Sequence, residues 1–238
     1  MRAVLAQTRA ELVLTLRRGE SVLLTLGIPV MLLGFFSVVD VLPTGRRHPV
    51  DFLAPGVLAL AVLSTAMVGL GIATGFERQY GVLKRLGSTP LGRPALLTAK
   101  TLSILAVEVL QVVVLVGVAR GLGWHPHLSA AAALAMLLAT LAFAGLGLLM
   151  AGTLRAEAVL AGANGLYLVL LLLGGVVVPL SKLPGALRTL SRALPAAALS
   201  DALHNSLGGA SVPGHSWAVL AAWAVAAPVA AAVTFKWE

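Results

Sequence analysis

The sequence predicts an all-α integral membrane protein with six transmembrane helices, and three observations carry that expectation. The chain of 238 residues is 59% hydrophobic and only 11% charged, against about 25% charged in soluble domains, so lipid must solvate much of its surface. Its mean hydropathy is +0.98. The apolar residues fall into six runs, each close to the ~20 residues that a bilayer core requires. The formal net charge is +8, yet the cations sit between apolar runs rather than along one stripe. That distribution speaks for membrane topology and against nucleic-acid binding. There is no cysteine, which excludes disulfides, zinc–thiolate sites and cysteine nucleophiles.

In chain order, residues 1–18 read as a helix lying along the inner membrane surface. Leu5, Leu12, Val13 and Leu16 fall on one side, and Gln7, Glu11 and Arg18 on the other. Arg2 and Arg9 project near the apolar side and have to snorkel; the alternative is a disordered basic tail. Charges at Arg9, Glu11, Arg17 and Arg18 interrupt any leader-like apolar core, so no cleaved signal is expected here. The six spans are expected at 21–39, 52–75, 96–119, 128–154, 159–178 and 217–235. Residues 179–209 are too polar to span and are broken by Pro179, Pro184 and Pro195. Leu183, Leu187, Leu190 and Leu194 keep a helical spacing there, so two short amphipathic helices are expected to dip into or lie on the outer leaflet. Trp124, Trp217 and Trp237 fall near span ends, as interfacial tryptophans do. Six spans put both termini on one side. The connections on that side hold more Lys and Arg than the opposite ones, so both termini are expected in the cytoplasm.

The densest charge cluster is residues 77–94, between the second and third spans. Wound as one helix, Glu77 to Leu86 puts Glu77, Arg78, Lys84 and Arg85 on one face and Tyr80, Val82, Leu83 and Leu86 on the other. Thr89-Pro90 stops it, because the residue before proline is pushed out of the α region. A short two-faced helix between spans predicts a docking element.

Catalytic machinery is absent from the pattern. There is no GxxxxGK[ST] to cradle nucleotide phosphates and no HExxH. The histidines fall in outer connections; His125 and His127 flank Pro126, a weak metal-binding pattern beside the commoner functionless loop histidine. Glu108 is the one acid deep within a span, and must face protein, be protonated or pair. Gln111 is its expected partner. Glu108, Gln111 and Asn164 are candidates for a polar path or for hydrogen bonds that fix helix packing. Glycines at Gly71 and Gly75, Gly117 and Gly121, Gly145, Gly147 and Gly152, and Gly174 and Gly175 predict seams where backbones approach closely.

The segment resembles the cytoplasmic coupling segment of ABC-2 type transporter permeases, whose pattern is close to ER-x-x-GTL-x-x-L-x-x-TP-x-x-R and ends near a GK pair. Glu77, Arg78, Gly81, Leu83, Leu86, Thr89, Pro90, Arg93 and Lys100 match it. Val82 and Ala99 replace the usual threonine and glycine. Pro179-Leu180, Leu183-Pro184, Leu194-Pro195 and Asp201-Ala202-Leu203 resemble the family's outer re-entrant block, with His204 where arginine is frequent. The resemblance implies an exporter permease that pairs with a second permease, identical or different. It also implies a separate ATP-binding subunit that carries ATP and Mg, so this chain would bind no cofactor and catalyse nothing alone. Its site residues would be Glu77, Arg78, Tyr80, Gly81, Leu83, Lys84, Arg85 and Leu86, docked in a groove of the ATPase. The resemblance further implies placement in the cell's inner (plasma) membrane and a drug, lipid or glycan-like substrate. Read from the residues alone, an ion-coupled secondary transporter and a non-transporting scaffold stay open.

Overall fold

The structure is a computed structural model. It describes residues 2–17, 19, 23–38, 49–87, 92–175 and 184–235. The predicted features at Arg18, Thr89, Pro90, Pro179, Leu180, Leu183 and Trp237 lie outside the described residues.

Where the fold is described it is helical and joined by short turns. The helices are α1 (Arg2–Arg17), α2 (Ile28–Val38), α3 (Val50–Gln79), α4 (Val82–Gly87), α5 (Arg93–Gly121), α6 (Ala130–Thr153), α7 (Ala156–Leu173), α8 (Gly185–Arg192), α9 (Pro195–Leu207) and α10 (Gly214–Thr234). Five of them, α3, α5, α6, α7 and α10, are long and apolar enough to cross a bilayer. The first expected span differs. Its described apolar helix covers only Thr25–Ser37, short of a bilayer core, and enters through a wide π-helical turn at Leu23–Gly27. A second π-helical stretch, Ser64–Gly69, lies in the middle of α3.

Local chemistry sets several boundaries. The Ser129 hydroxyl accepts the Ala132 N–H at 3.3 Å and starts α6. Pro94 and Pro195 occupy the first turns of α5 and α9, where a missing N–H costs nothing. The helix predicted to run unbroken from Glu77 to Leu86 is two pieces. α3 continues straight from the second span to Gln79, and Gly81, with φ of 72°, turns the chain before α4 begins. Apolar spacing persists across that turn, so periodicity does not reveal it.

The core is held by α6, which packs against α3, α9 and α10. Small residues bring the backbones together. A Cβ on Gly147 would stand 2.6 Å from the Met67 carbonyl oxygen, and one on Gly71 would meet Gly147 Cα at 3.1 Å. On the other side of α6, a Cβ on Gly145 would meet the Ala227 carbonyl carbon at 2.6 Å, and one on Gly152 the Phe235 ring at 2.6 Å. The seams predicted at Gly71, Gly145, Gly147 and Gly152 are therefore real contacts. Gly75 touches Val159. Gly117 and Gly121 have nothing within 4 Å, so no seam forms there among the described residues.

The 184–209 region forms α8 and α9. α8 is largely exposed, whereas α9 is buried among α3, α6 and α10. His204 of α9 reaches the Phe52 carbonyl at 3.0 Å and packs against the Phe52 ring at a 42° tilt, centroids 4.8 Å apart. Trp124 is 3% exposed and belongs to the core, not to the interfacial belt expected of it.

Candidate functional site

Glu77 and Arg78, adjacent at the end of α3, point to opposite sides of the bundle. Glu77 accepts from Lys100 Nζ at 2.5 Å, and the same ammonium reaches Glu11 of α1 at 3.0 Å. Lys100 is 1% exposed. A cation so buried is tolerated only with charged partners that satisfy its donors. Three elements, α1, α3 and α5, therefore meet at one nitrogen. The Thr8 hydroxyl adds a bond to the Ala99 carbonyl at 3.3 Å, and Gln7 Nε2 donates to Glu11 at 2.9 Å. The expected surface helix is thus strapped along α5.

Arg78 works the other side. Its Nη2 donates to the carbonyl of Leu154, the residue that ends α6. A guanidinium at a helix C-terminus satisfies an orphan carbonyl and complements the dipole. Next to it, Gln79 Nε2 donates to Glu157 at 2.8 Å, tying α3 to the start of α7. Glu11, Lys100, Leu154 and Glu157 were not among the residues predicted for this site. The available signal was Lys100 itself, an ammonium set in an apolar run that has to find an acid.

Beyond these ties the chain turns at Tyr80-Gly81. Tyr80 is 71% exposed and stacks on Phe76 with ring centroids 6.1 Å apart. Val82 is 40% exposed, and Lys84 and Arg85 are exposed. Leu83 is fully buried within the chain, with Leu86 partly so. Of the predicted docking residues, then, Tyr80, Lys84 and Arg85 face outward, joined by Val82. Glu77 and Arg78 are engaged internally, and Leu83 anchors α4 to the bundle. The outcome is an exposed corner whose base is tied to α1, α5 and the α6–α7 connection.

The intramembrane polar candidates separate. Glu108 bonds to the Thr140 hydroxyl of α6 at 2.5 Å, not to Gln111; its second oxygen has no hydrogen-bond partner among the described residues. Gln111, 1% exposed, donates to the Thr25 carbonyl at 2.8 Å and accepts from the Thr65 hydroxyl at 3.1 Å. Both partners lie in π-helical turns, which displace backbone carbonyls from the regular ladder. Gln111 thus ties α5 to the two wide turns. Asn164 donates to Leu160 O on its own helix at 2.8 Å and is exposed. It bridges no second helix among the described residues.

Compared with known proteins, a family model described as ABC-2 type transporter matches residues 2–207. No curated protein matches the chain.

Proposed function

The chain belongs to the ABC-2 type transporter family, a membrane transport component, and from that premise we propose that it is the permease subunit of an ATP-driven exporter. On this reading a separate ATP-binding subunit holds ATP and Mg and performs hydrolysis. Two permease chains, identical or different, complete the translocation unit in the cell's inner (plasma) membrane. The short first apolar helix counts as a sixth crossing, and both termini lie in the cytoplasm. The cargo is hydrophobic or amphipathic.

The observation that supports this best is the mounted corner. Tyr80, Val82, Lys84 and Arg85 form an exposed apolar–cationic surface, suited to seating in a groove of a partner. Glu77, Arg78, Gln79 and Lys100 bind its base to four other elements, α1, α5, the end of α6 and the start of α7. Closure of two ATPases would push on that corner, and the ion pairs would carry the displacement into the spans.

The test is co-expression with a P-loop ATP-binding subunit from the same genome. Tagged wild-type chain is expected to retain the ATPase. A Tyr80→Ala, Val82→Asp double variant changes only exposed side chains. It should retain about tenfold less, corresponding to about 1.4 kcal/mol, with an unchanged size-exclusion profile. Undiminished retention by that variant would remove the docking reading.

A further inference from the structure

α3 begins beside His204 and ends at the Glu77 site, so His204 stands at the end of the bundle remote from Lys100. It is half-buried on α9. Its two ring nitrogens meet the same kind of atom. Nε2 lies 3.0 Å from the carbonyl oxygen of Phe52, in the first turn of α3. Nδ1 lies 2.7 Å from the Ser200 carbonyl oxygen, one turn back on α9.

A carbonyl oxygen only accepts, so each nitrogen must bring a hydrogen. Neutral imidazole carries one N–H and imidazolium carries two. Either neutral tautomer would turn a nitrogen lone pair onto an oxygen lone pair. The Ser200 hydroxyl does not rescue a neutral ring. It stands 3.4 Å from Nδ1 and donates to the Gly175 carbonyl at 3.2 Å, and the Ser200 carbonyl is the nearer atom. His125 and His215 differ: each sets one ring nitrogen on a carbonyl, at 2.9 Å, which a neutral tautomer satisfies.

The charges around α9 are mixed. Asp201 lies three residues back on the same helix, a neighbouring position on its surface, and Asp51 precedes Phe52 on α3. Asp201 accepts from the Ser216 hydroxyl at 2.6 Å and from Asn205 Nδ2 at 3.1 Å. Arg188 and Arg192 sit on α8, His215 starts α10, and His127 precedes α6, its backbone N–H on the Leu207 carbonyl at 2.9 Å. Neither α6 nor the Gly174-Gly175 end of α7 carries a charged group. Two acids adjacent along the chain and two carbonyl dipoles are therefore set to offset one ring charge.

We propose that His204 binds a second ring proton and, as imidazolium, staples α9 to the start of α3, a proton-operated latch at this end of the bundle. A tautomer that keeps only Nδ1–H lets go of α3; one that keeps only Nε2–H lets go of its own helix. Either way a hydrogen bond from a charged donor is lost, stronger than its neutral counterpart. The folded chain holds this proton more tightly than the unfolded chain. The stability it adds is full below the ordinary histidine value of about 6.5 and is lost as pH rises. Under the orientation proposed above, this end faces outward and external pH sets the latch. The latch itself does not depend on ATPase docking.

The experiment uses the purified full chain in neutral detergent, without an ATPase and with nitrogen-15 in its histidine rings. At about one pH unit above the ordinary histidine value, nuclear magnetic resonance should show one residue with both ring nitrogens protonated. His204→Gln should lack that signal; if this variant does not fold, replacing the other four histidines makes the same assignment. A neutral ring at His204 under these conditions would overturn the proposal. Thermal unfolding reads the staple. The stability advantage of wild type over His204→Gln should fall by about tenfold in the unfolding equilibrium as pH rises from about 5.5 to about 8.5. His215→Gln should keep the pH dependence of wild type. An advantage that stays constant with pH would reduce His204 to a neutral packing residue, and a pH dependence lost in His215→Gln instead would move the proton elsewhere; either result sinks the latch. Because no ATPase is present, none of these outcomes can be confused with a failure of docking.

Discussion

An ammonium group sealed from water is stable only while its counter-charges stay in place. Lys100→Met should therefore put an apolar side chain between Glu11 and Glu77 and remove the cation they share. Breaking such a pair costs up to about 3–5 kcal/mol when fully buried, and less here because water still reaches both carboxylates. A lowered melting temperature in detergent, with α1 more accessible to protease, is the expected result. Gln111→Leu removes two bonds that join α5 to the wide turns. Membrane-embedded side-chain bonds average about 0.6 kcal/mol, with a maximum near 1.7, so a loss of about 1–2 kcal/mol is expected in a reversible unfolding titration, with Thr65→Val adding little on top of it. These pairings explain why the residue scale was only partly legible. Glu77 and Arg78 stand out in the sequence by their charge between apolar runs and by their match to the family's coupling segment. Their partners lie 23 and 76 residues away, and Glu11 lies 89 residues from Lys100, beyond the reach of any local pattern. Glu108 was expected to bond within its own helix and instead bonds across to Thr140.

At the scale of the element, Gly81 decides the shape of the corner. Its left-handed φ costs an L-residue about 1–2 kcal/mol, so Gly81→Ala should leave the spans intact and lower ATPase retention by about tenfold. Space is not the obstacle, since nothing among the described residues lies within 4 Å of where its Cβ would be. The seams behave in the opposite way. Gly147→Leu would drive a side chain into the Met67 backbone and should cost more than the 1–3 kcal/mol typical of overpacking, visible as lost expression or aggregation on size exclusion. Gly117→Ala, which meets open space, should be indistinguishable from wild type in the same assay. The long apolar helices were readable because lipid demands an unbroken apolar run with all backbone bonds made internally. The glycines were readable as a class but not individually: in a one-dimensional string, Gly117 and Gly147 look alike, and only packing separates them. The break at Gly81 was hidden for a similar reason, because a single left-handed residue leaves hydrophobic spacing undisturbed.

For the whole molecule, orientation is the property to measure, and the absence of cysteine makes it accessible. A single cysteine at Lys84 should react with a membrane-impermeant maleimide only after the membrane is opened. One at Ala210, beyond α9 at the remote end, should react in intact cells. The reverse pattern would invert the proposed topology and, with it, the side from which force arrives. The two wide-wound stretches have a further geometric meaning. A π-helical turn carries more residues than the 3.6 of an α-helix, so the stripe of side chains along α3 slips in phase at Ser64–Gly69. Before the slip the helix packs against α2, α5, α6 and α9; after it, against α6 and α7. One rod thereby keeps α6 along its length while exchanging α2, α5 and α9 for α7, and a rewinding of that stretch by one residue would swivel the Glu77 end by about 100° while leaving the Phe52 end where it stands.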